Sequence, residues 1–352
     1  MLKRSPHNPV ITPEMVRPST SDHRVEGTFN AGVTIMGDQV IMLLRVAESI
    51  VSERVDEIVV PTLDRQGGRW VVTRKAFRRD DPAYNFADPR EIKLRADPSQ
   101  VFLTSMSHIR VARSTNGTHF AVDDGPFLFP ETRYERFGCE DPRITSIDGR
   151  YFINYTAVSD LGIGTALATT TDFVAVRRLG LIFAPDNRDV CLFPAKIDNS
   201  YWALHRPAPL HFGAPEIWIA RSPDLIHWGD HRILAERTGY DWESKKIGGG
   251  AQMLATPKGW LQIYHGVDAR QRYSLGALLV DLADPTIVVA RLATPIAEPI
   301  EPYETAGFFD SVLFTCGALI VGDELHVYYG GADRVMALGT IALADLWAAM
   351  GV

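Results

Sequence analysis

The chain has 352 residues, 46% of them hydrophobic and 22% charged, with a formal net charge of −7. Such a chain can bury a large core as an ordinary globular protein. Its acidic balance excludes a general nucleic-acid or anionic-membrane binder, which presents a basic face.

In chain order, residues 1–25 show no apolar run of the signal-peptide kind. No later segment is long enough to span a bilayer, so a cytoplasmic location is expected. This first stretch is expected to pack along the outside or to close the fold. A strand, a tight turn at Met36-Gly37-Asp38 and a returning strand follow in FNAGVTIMGDQVIMLLRVAE (29–48). A charged, proline-punctuated insertion then runs from about 48 to 100. It is expected to form either a rim over a binding site or a homo-oligomer contact. The interrupted hairpin resumes with outer strands near SHIRVARSTNGTHF (107–120).

The same unit recurs in EDPRITSIDGRYFINYTAVSD (140–160), NRDVCLFPAKIDNSYWALHRP (187–207), SKKIGGGAQMLATPKGWLQIYHGVD (244–268) and FDSVLFTCGALIVGDELHVYYGGAD (309–333). Gly beside Asp at 148–149 and 322–323 tolerates the positive φ of hairpin turns. Outer segments repeat as well: ARSTNGTHF, ATTTDFVAV and ARSPDLIHW each place a hydroxyl residue, then Asn or Asp, ahead of an aromatic. Five strand-rich repeats with a period of roughly 50 residues predict an all-β, five-bladed β-propeller, with 1–352 forming a single domain. Cys139, Cys191 and Cys316 read as small buried hydrophobes of a reducing compartment. No short-spaced His, Cys or carboxylate motif points to a metal, and no metal or cofactor is expected.

A propeller carries equivalent points of each repeat to one axis. The start of the inner strand and the end of the second give Asn30 and Arg45, Asp141 and Tyr155, Arg188 with His205 and Arg206, Lys246 and His265, and Asp310 and Asp333. Taken singly, each has a plain alternative. A strand-end Arg or Lys is usually a solvated rim charge, His265 fits a hydrogen-bonded core histidine, and Asp141 fits a turn cap. As a set they converge. Arg188, Arg206, Lys246 and His265 form a seat for a phosphate-sized anion in an otherwise acidic protein. Asp141, Asp333 and Asn30 offer groups for sugar hydroxyls. Tyr155, Tyr264, Tyr273, Phe308 and Phe309 offer stacking faces. An anion seat, hydroxyl binders and one candidate acid point to glycosyl transfer involving phosphate.

The segments GCEDPRI, NRDVCLFPAKI, ALHRPAP, IWIARSPDLIHWG, WESKKIGGG, LQIYHGVD, LGALLVDLADP and VYYGGAD resemble those of glycoside hydrolase family 130, from about 8 to 346. These enzymes are mostly β-mannoside phosphorylases on a five-bladed propeller. The resemblance implies that Asp141 is the general acid and that Arg188, Arg206, Lys246, His265 and Tyr273 bind phosphate. It places Asn30, Arg45 and Asp333 on mannose; Tyr155 and His205 join this sugar set from the repeat register. It further implies inverting phosphorolysis of a β-mannoside, giving α-D-mannose 1-phosphate, with the acid's proton relayed through a mannose hydroxyl. Phosphate is already a nucleophile, so such a site needs an anion clamp and one acid. An inverting hydrolase needs a second carboxylate to activate water. A β-mannosidase of the same family and a non-catalytic sugar-binding propeller are the rival readings. Two runs depart from the family's usual pattern, Gly248-Gly249-Gly250-Ala251-Gln252-Met253 and Asp310-Ser311-Val312-Leu313-Phe314. Both are expected near the mouth, where they bear on acceptor and linkage.

Overall fold

The computed structural model describes residues 1–209 and 211–352. Five antiparallel blades follow one another along the chain. The first contains His23–Met36, Gln39–Ile50, Met106–Ser114 and the short Ala121–Val122. The second contains Gly138–Ile147, Arg150–Ser159, Gly162–Thr170 and Arg177–Phe183. Asn187–Leu192, Tyr201–Pro207, Ile217–Ser222 and Gly229–Ala235 form the third. In the fourth, Lys246–Gly249 and Leu254–Thr256 share the inner edge, followed by Gly259–Val267, Tyr273–Val280 and Val288–Arg291. The fifth is Leu313–Val321, Glu324–Gly331 and Val335–Ala342, completed by Lys3–Arg4 from the other end of the chain.

The inner strand of each blade touches the blade before it, and that of the first touches the fifth, so the sheets form a closed ring. The N-terminal stretch thus closes the fold by strand pairing, the more specific of its two expected roles. Arg4 adds an ion pair at 2.7 Å to the buried Glu304. Each pair of neighbouring blades encloses its own apolar layer. Leu44 and Tyr328 share one, Ile109 and Ile153 a second, and Leu167 and Ala203 a third. Leu204 and Tyr264 share the fourth, Ile263 and Val327 the fifth. Radial repetition of this kind leaves only short protected edges.

The repeated outer turns have one physical cause. The hydroxyls of Ser114, Thr170 and Ser222 accept from the backbone N–H three residues on, at 2.8, 3.1 and 2.9 Å. Asn116, Asp172 and Asp224 accept from the N–H two residues on. These local bonds satisfy the turn backbone without a ladder partner, which is why hydroxyl and Asn or Asp recur at that spacing.

The insertion leaves the first blade after Ile50. It consists of a hairpin, Glu57–Gln66 with Arg69–Arg78, and a small sheet of Tyr84–Asn85, Glu91–Leu94 and Asp97–Leu103. Val60, Phe77 and Ile92 give it a small core of its own. No helix among the described residues is long and apolar enough to cross a membrane.

Candidate active site

A β-bulge interrupts the inner strand of the first three blades at the same place, between Phe29 and Gly32, Glu140 and Arg143, and Arg188 and Cys191. The first extra residue at each is Asn30, Asp141 or Asp189, with φ of 51°, 46° and 56°. Asn and Asp tolerate this left-handed region better than other side-chain residues. A bulge re-aims the side chain it carries, and here it turns three polar groups toward the axis. Asp333, at φ 51° just beyond the second strand of the fifth blade, is turned likewise.

These groups line one cavity of about 290 Å³, near the lower end of small-molecule sites. Asn30, Arg45, Asp141, Arg188, Arg206, Lys246, His265, Tyr273 and Asp333 all face it. On one side Arg45 donates from Nη1 to Asp141 Oδ1 at 2.8 Å and from Nη2 to Glu140 Oε1 at 2.7 Å. Asn30 Nδ2 donates to the same Asp141 oxygen at 3.0 Å. Burial raises the Asp333 carboxyl to about 6, with Arg45 opposing and Asp141 adding to the rise. Burial raises Glu140 as well, against the pull of Arg45.

A second group in the lining is mainly cationic. Asp189 accepts from Arg206 Nε at 2.5 Å, meets Arg143 at 3.3 Å and lies 3.6 Å from His265 Nε2. Burial works against its charge, yet Arg206 and Arg143 hold the carboxyl well below the usual range. Burial brings the His265 imidazole down to about 3, so it is neutral at working pH. Lys246 Nζ donates to Tyr273 Oη at 2.5 Å and meets no carboxylate among the described residues. Burial, then the neighbouring Arg206, lowers its ammonium to about 8. Arg188 is barer still. Its Nε is buried without a partner among the described residues, and burial and Arg206 both disfavour its charge. A buried, unpaired guanidinium beside a second one is costly for the fold, and an anion between them offsets that cost.

Arg143 underlies this arrangement. Fully buried, it donates to the carbonyls of Gly250 at 2.6 Å and Gly249 at 3.0 Å, tying the second blade to the fourth. The glycine run, one of the two that depart from the family pattern, packs against Asp189, His265 and Arg206. A Cβ on Gly248 would stand 2.5 Å from Asp189 Oδ2 and 2.8 Å from Arg206 Nε. The Asp189→Asn substitution keeps the shape but leaves two buried guanidiniums without their shared carboxylate. It is expected to destabilise the protein by about 3–5 kcal/mol, read as a lowered urea midpoint.

Four expected residues lie outside the cavity: Asp310, whose carboxylate accepts from the Gly307 N–H at 3.0 Å, Tyr264, whose buried hydroxyl donates to Glu243 at 2.7 Å, Tyr155 and His205. Tyr155 is buried between the first two blades, and its hydroxyl donates to Glu135 at 2.5 Å. His205 stacks on Phe183 at 4.8 Å and contacts Asn187 and His231. For Tyr155 and His205 the reason is strand alternation. Arg45 pairs with Phe29, and Arg206 with Arg188, on the axis side of the bulge. The next residue back along each second strand, Leu44 or His205, faces the other way. In the second blade the counterpart of Arg45 is Thr156, paired with Glu140, so Tyr155 is one residue out of phase.

The structure adds cavity residues that the repeat register missed: Glu140, Asp189 and, from the insertion, Arg90. Glu140 and Asp189 each adjoin a residue that had been singled out, so the bulge was the missing signal. Among the described residues, no group of three or more His, Cys, Asp or Glu is placed to hold a metal ion.

Known proteins share this architecture. The glycoside hydrolase family 130 model, described as beta-1,4-mannooligosaccharide phosphorylase, matches residues 99–350. A beta-1,2-mannobiose phosphorylase of Listeria innocua is 47% identical over 96% of this chain and 94% of its own. A 1,2-beta-oligomannan phosphorylase of a Thermoanaerobacter species is 38% identical over 68% of this chain and 80% of its own. The solved Listeria innocua beta-1,2-mannobiose phosphorylase, in complex with beta-1,2-mannobiose, superposes with a TM-score of 0.95 at 44% identity, covering 99% of both chains.

Proposed function

The chain belongs to glycoside hydrolase family 130, and from that membership and the cavity's chemistry we propose that it cleaves β-D-mannosides by phosphorolysis with inversion. The products are α-D-mannose 1-phosphate and an acceptor shortened by one mannose. The Listeria relative supports a β-1,2-linked disaccharide of mannose as the substrate. The three buried, unpaired cysteines fit a reducing compartment, and we place the enzyme in the cytoplasm.

The observation that carries the reading is Arg188, whose buried Nε has no partner among the described residues, beside Arg206 and Lys246 in the cavity that also holds Asp141. Arg188, Arg206 and Lys246 hold inorganic phosphate, with His265 and Tyr273 closing the seat. Asn30, Arg45 and Asp333 orient the mannose ring. A phosphate oxygen bonds to C1 on the α face as the β-glycosidic bond breaks on the other. The bonding pair leaves on the acceptor oxygen, which takes the proton held by Asp141 through a mannose hydroxyl. The clamp supplies position and charge, no cofactor is required, and one carboxyl supplies the proton.

The deciding experiment is turnover of β-1,2-mannobiose with and without inorganic phosphate. Formation of mannose 1-phosphate, and no free mannose beyond the one acceptor per turnover, is expected. Two mannoses released at an unchanged rate without phosphate would establish a hydrolase instead.

The pH profile provides a second check. With its value lowered from 10.5 to about 8, Lys246 is charged below pH 8 and loses its charge above it. Above pH 8, kcat/KM for phosphate is therefore expected to fall by about tenfold per pH unit. The descending limb should move to higher pH in Lys246→Arg, whose guanidinium stays protonated.

A further inference from the structure

Arg90 enters the cavity from the insertion, in the 51–98 segment that lies outside the part of the chain matched by the family model. Its Nε and Nη2 donate to the two oxygens of Asp88 at 3.0 and 2.8 Å. Its guanidinium carbon sits 4.1 Å from the centre of the Phe309 ring. Phe309 is held by its backbone N–H, which donates to the Ala332 carbonyl at 3.1 Å, one residue before Asp333. Arg90 and Phe309 therefore stand beside Asp333, and Phe309 also meets the Tyr273 ring edge-on at 6.3 Å. They also lie further out than the anion basin: the Arg90 side chain is 37% exposed, that of Arg206 6%.

The two arginine environments differ in kind. Arg188 has no carboxylate partner among the described residues and calls for an anion. Arg90 is already neutralised by Asp88, so it exerts little net demand for one. What remains is a fixed plane with unused N–H donors at Nη1, backed by an aromatic ring. That pairing suits an uncharged, hydroxyl-rich ring. In a displacement with inversion the departing oxygen leaves from the face opposite the phosphate. With phosphate at the inner basin, the acceptor sugar stands at the outer end.

We propose that Arg90 and Phe309 form the seat of the acceptor sugar, and that the insertion, by delivering Arg90, sets acceptor selectivity. This inference rests on the phosphorylase reading. Arg90 donates to acceptor hydroxyls through Nη1, Asp88 fixes the plane of the guanidinium, and Phe309 supports it from below.

The test is reverse synthesis from α-mannose 1-phosphate with D-mannose as acceptor. In Arg90→Ala the KM for D-mannose is expected to rise about 10- to 100-fold. The KM for mannose 1-phosphate should stay within about twofold, as should the rise in Tm on adding inorganic phosphate. Arg90→Lys should remain impaired, because a point charge lacks the fixed plane. Phe309→Ala, which leaves the insertion intact, should give the same split and covers the case in which Arg90→Ala unfolds. A raised KM for mannose 1-phosphate with that for D-mannose unchanged would assign Arg90 to the anion basin and overturn the proposal. So would variants with both constants unchanged while the wild type synthesises normally. If the wild type makes no disaccharide from mannose 1-phosphate, the phosphorylase reading fails first and the acceptor seat with it.

Discussion

Asp141→Asn is expected to lower kcat for phosphorolysis of β-1,2-mannobiose by roughly 10²- to 10⁴-fold while leaving substrate binding within a few-fold. The asymmetry of the carboxyl supports this split. Arg45 and Asn30 both donate to Oδ1, and Oδ2 accepts no hydrogen bond from the described residues. An asparagine keeps an oxygen at the Oδ1 position and so keeps both donors satisfied. What it removes is a proton that can leave from the other atom. The loss should therefore appear in kcat, with the Tm shifts produced by phosphate and by mannobiose preserved. It should also shrink for an aryl β-mannoside, whose departing oxygen needs little protonation. If turnover survives, or if the aryl substrate suffers equally, Asp141 is not the acid.

Arg45 invites the opposite question, since it meets both Asp141 and Glu140. Only the Asp141 side chain rides on the bulge. Glu140 precedes it in ordinary strand pairing with Thr156. The extra residue, at φ 46°, turns the Asp141 carboxyl to a place regular pleating would not reach. Backbone held in a sparsely populated region is common where a side chain must be aimed, and the same geometry recurs at Asn30 and Asp189.

Reading repeats along the chain located the blades because each hairpin, outer turn and apolar strand announces itself locally. Gly149, with φ 74° after Asp148 at 50°, is one such turn. The same register brought eight of the expected residues to one cavity, from Asn30 in the first blade to Asp333 in the fifth. It failed where one residue of phase matters. His205 and Arg206 are adjacent on one strand and cannot both face the axis, and Tyr155 stands opposite a bulge that local pattern does not mark. Asp189 escaped notice because two residues of the first turn of that strand, not one, are used. Arg90 had no register at all, since the insertion repeats nowhere else in the chain. Its place follows only from the small sheet, Glu91–Leu94 and its neighbours, which brings Arg90, Glu91 and Leu103 to the cavity.

Arg188→Met should separate the two things that this arginine does. In the free protein it is a liability. Its Nε is buried and unpaired among the described residues, Arg206 lies close by, and burial further disfavours its charge. Replacing such a group with an apolar side chain of similar length often leaves stability unchanged or improves it. In the proposed phosphate complex the same guanidinium is expected to make charge-assisted bonds to the anion. Loss of that interaction is expected to cost about 2–4 kcal/mol, or roughly a 30- to 1000-fold rise in KM for phosphate. The Tm without phosphate should therefore be equal to or above that of the wild type, while the stabilisation gained on adding phosphate largely disappears. Asp189→Asn should behave in reverse, losing stability with or without phosphate, because its carboxylate serves the buried Arg143 as well as Arg206. A variant at Arg188 that loses stability yet binds phosphate normally would mean that the unpaired guanidinium is structural, and the anion seat would have to lie elsewhere.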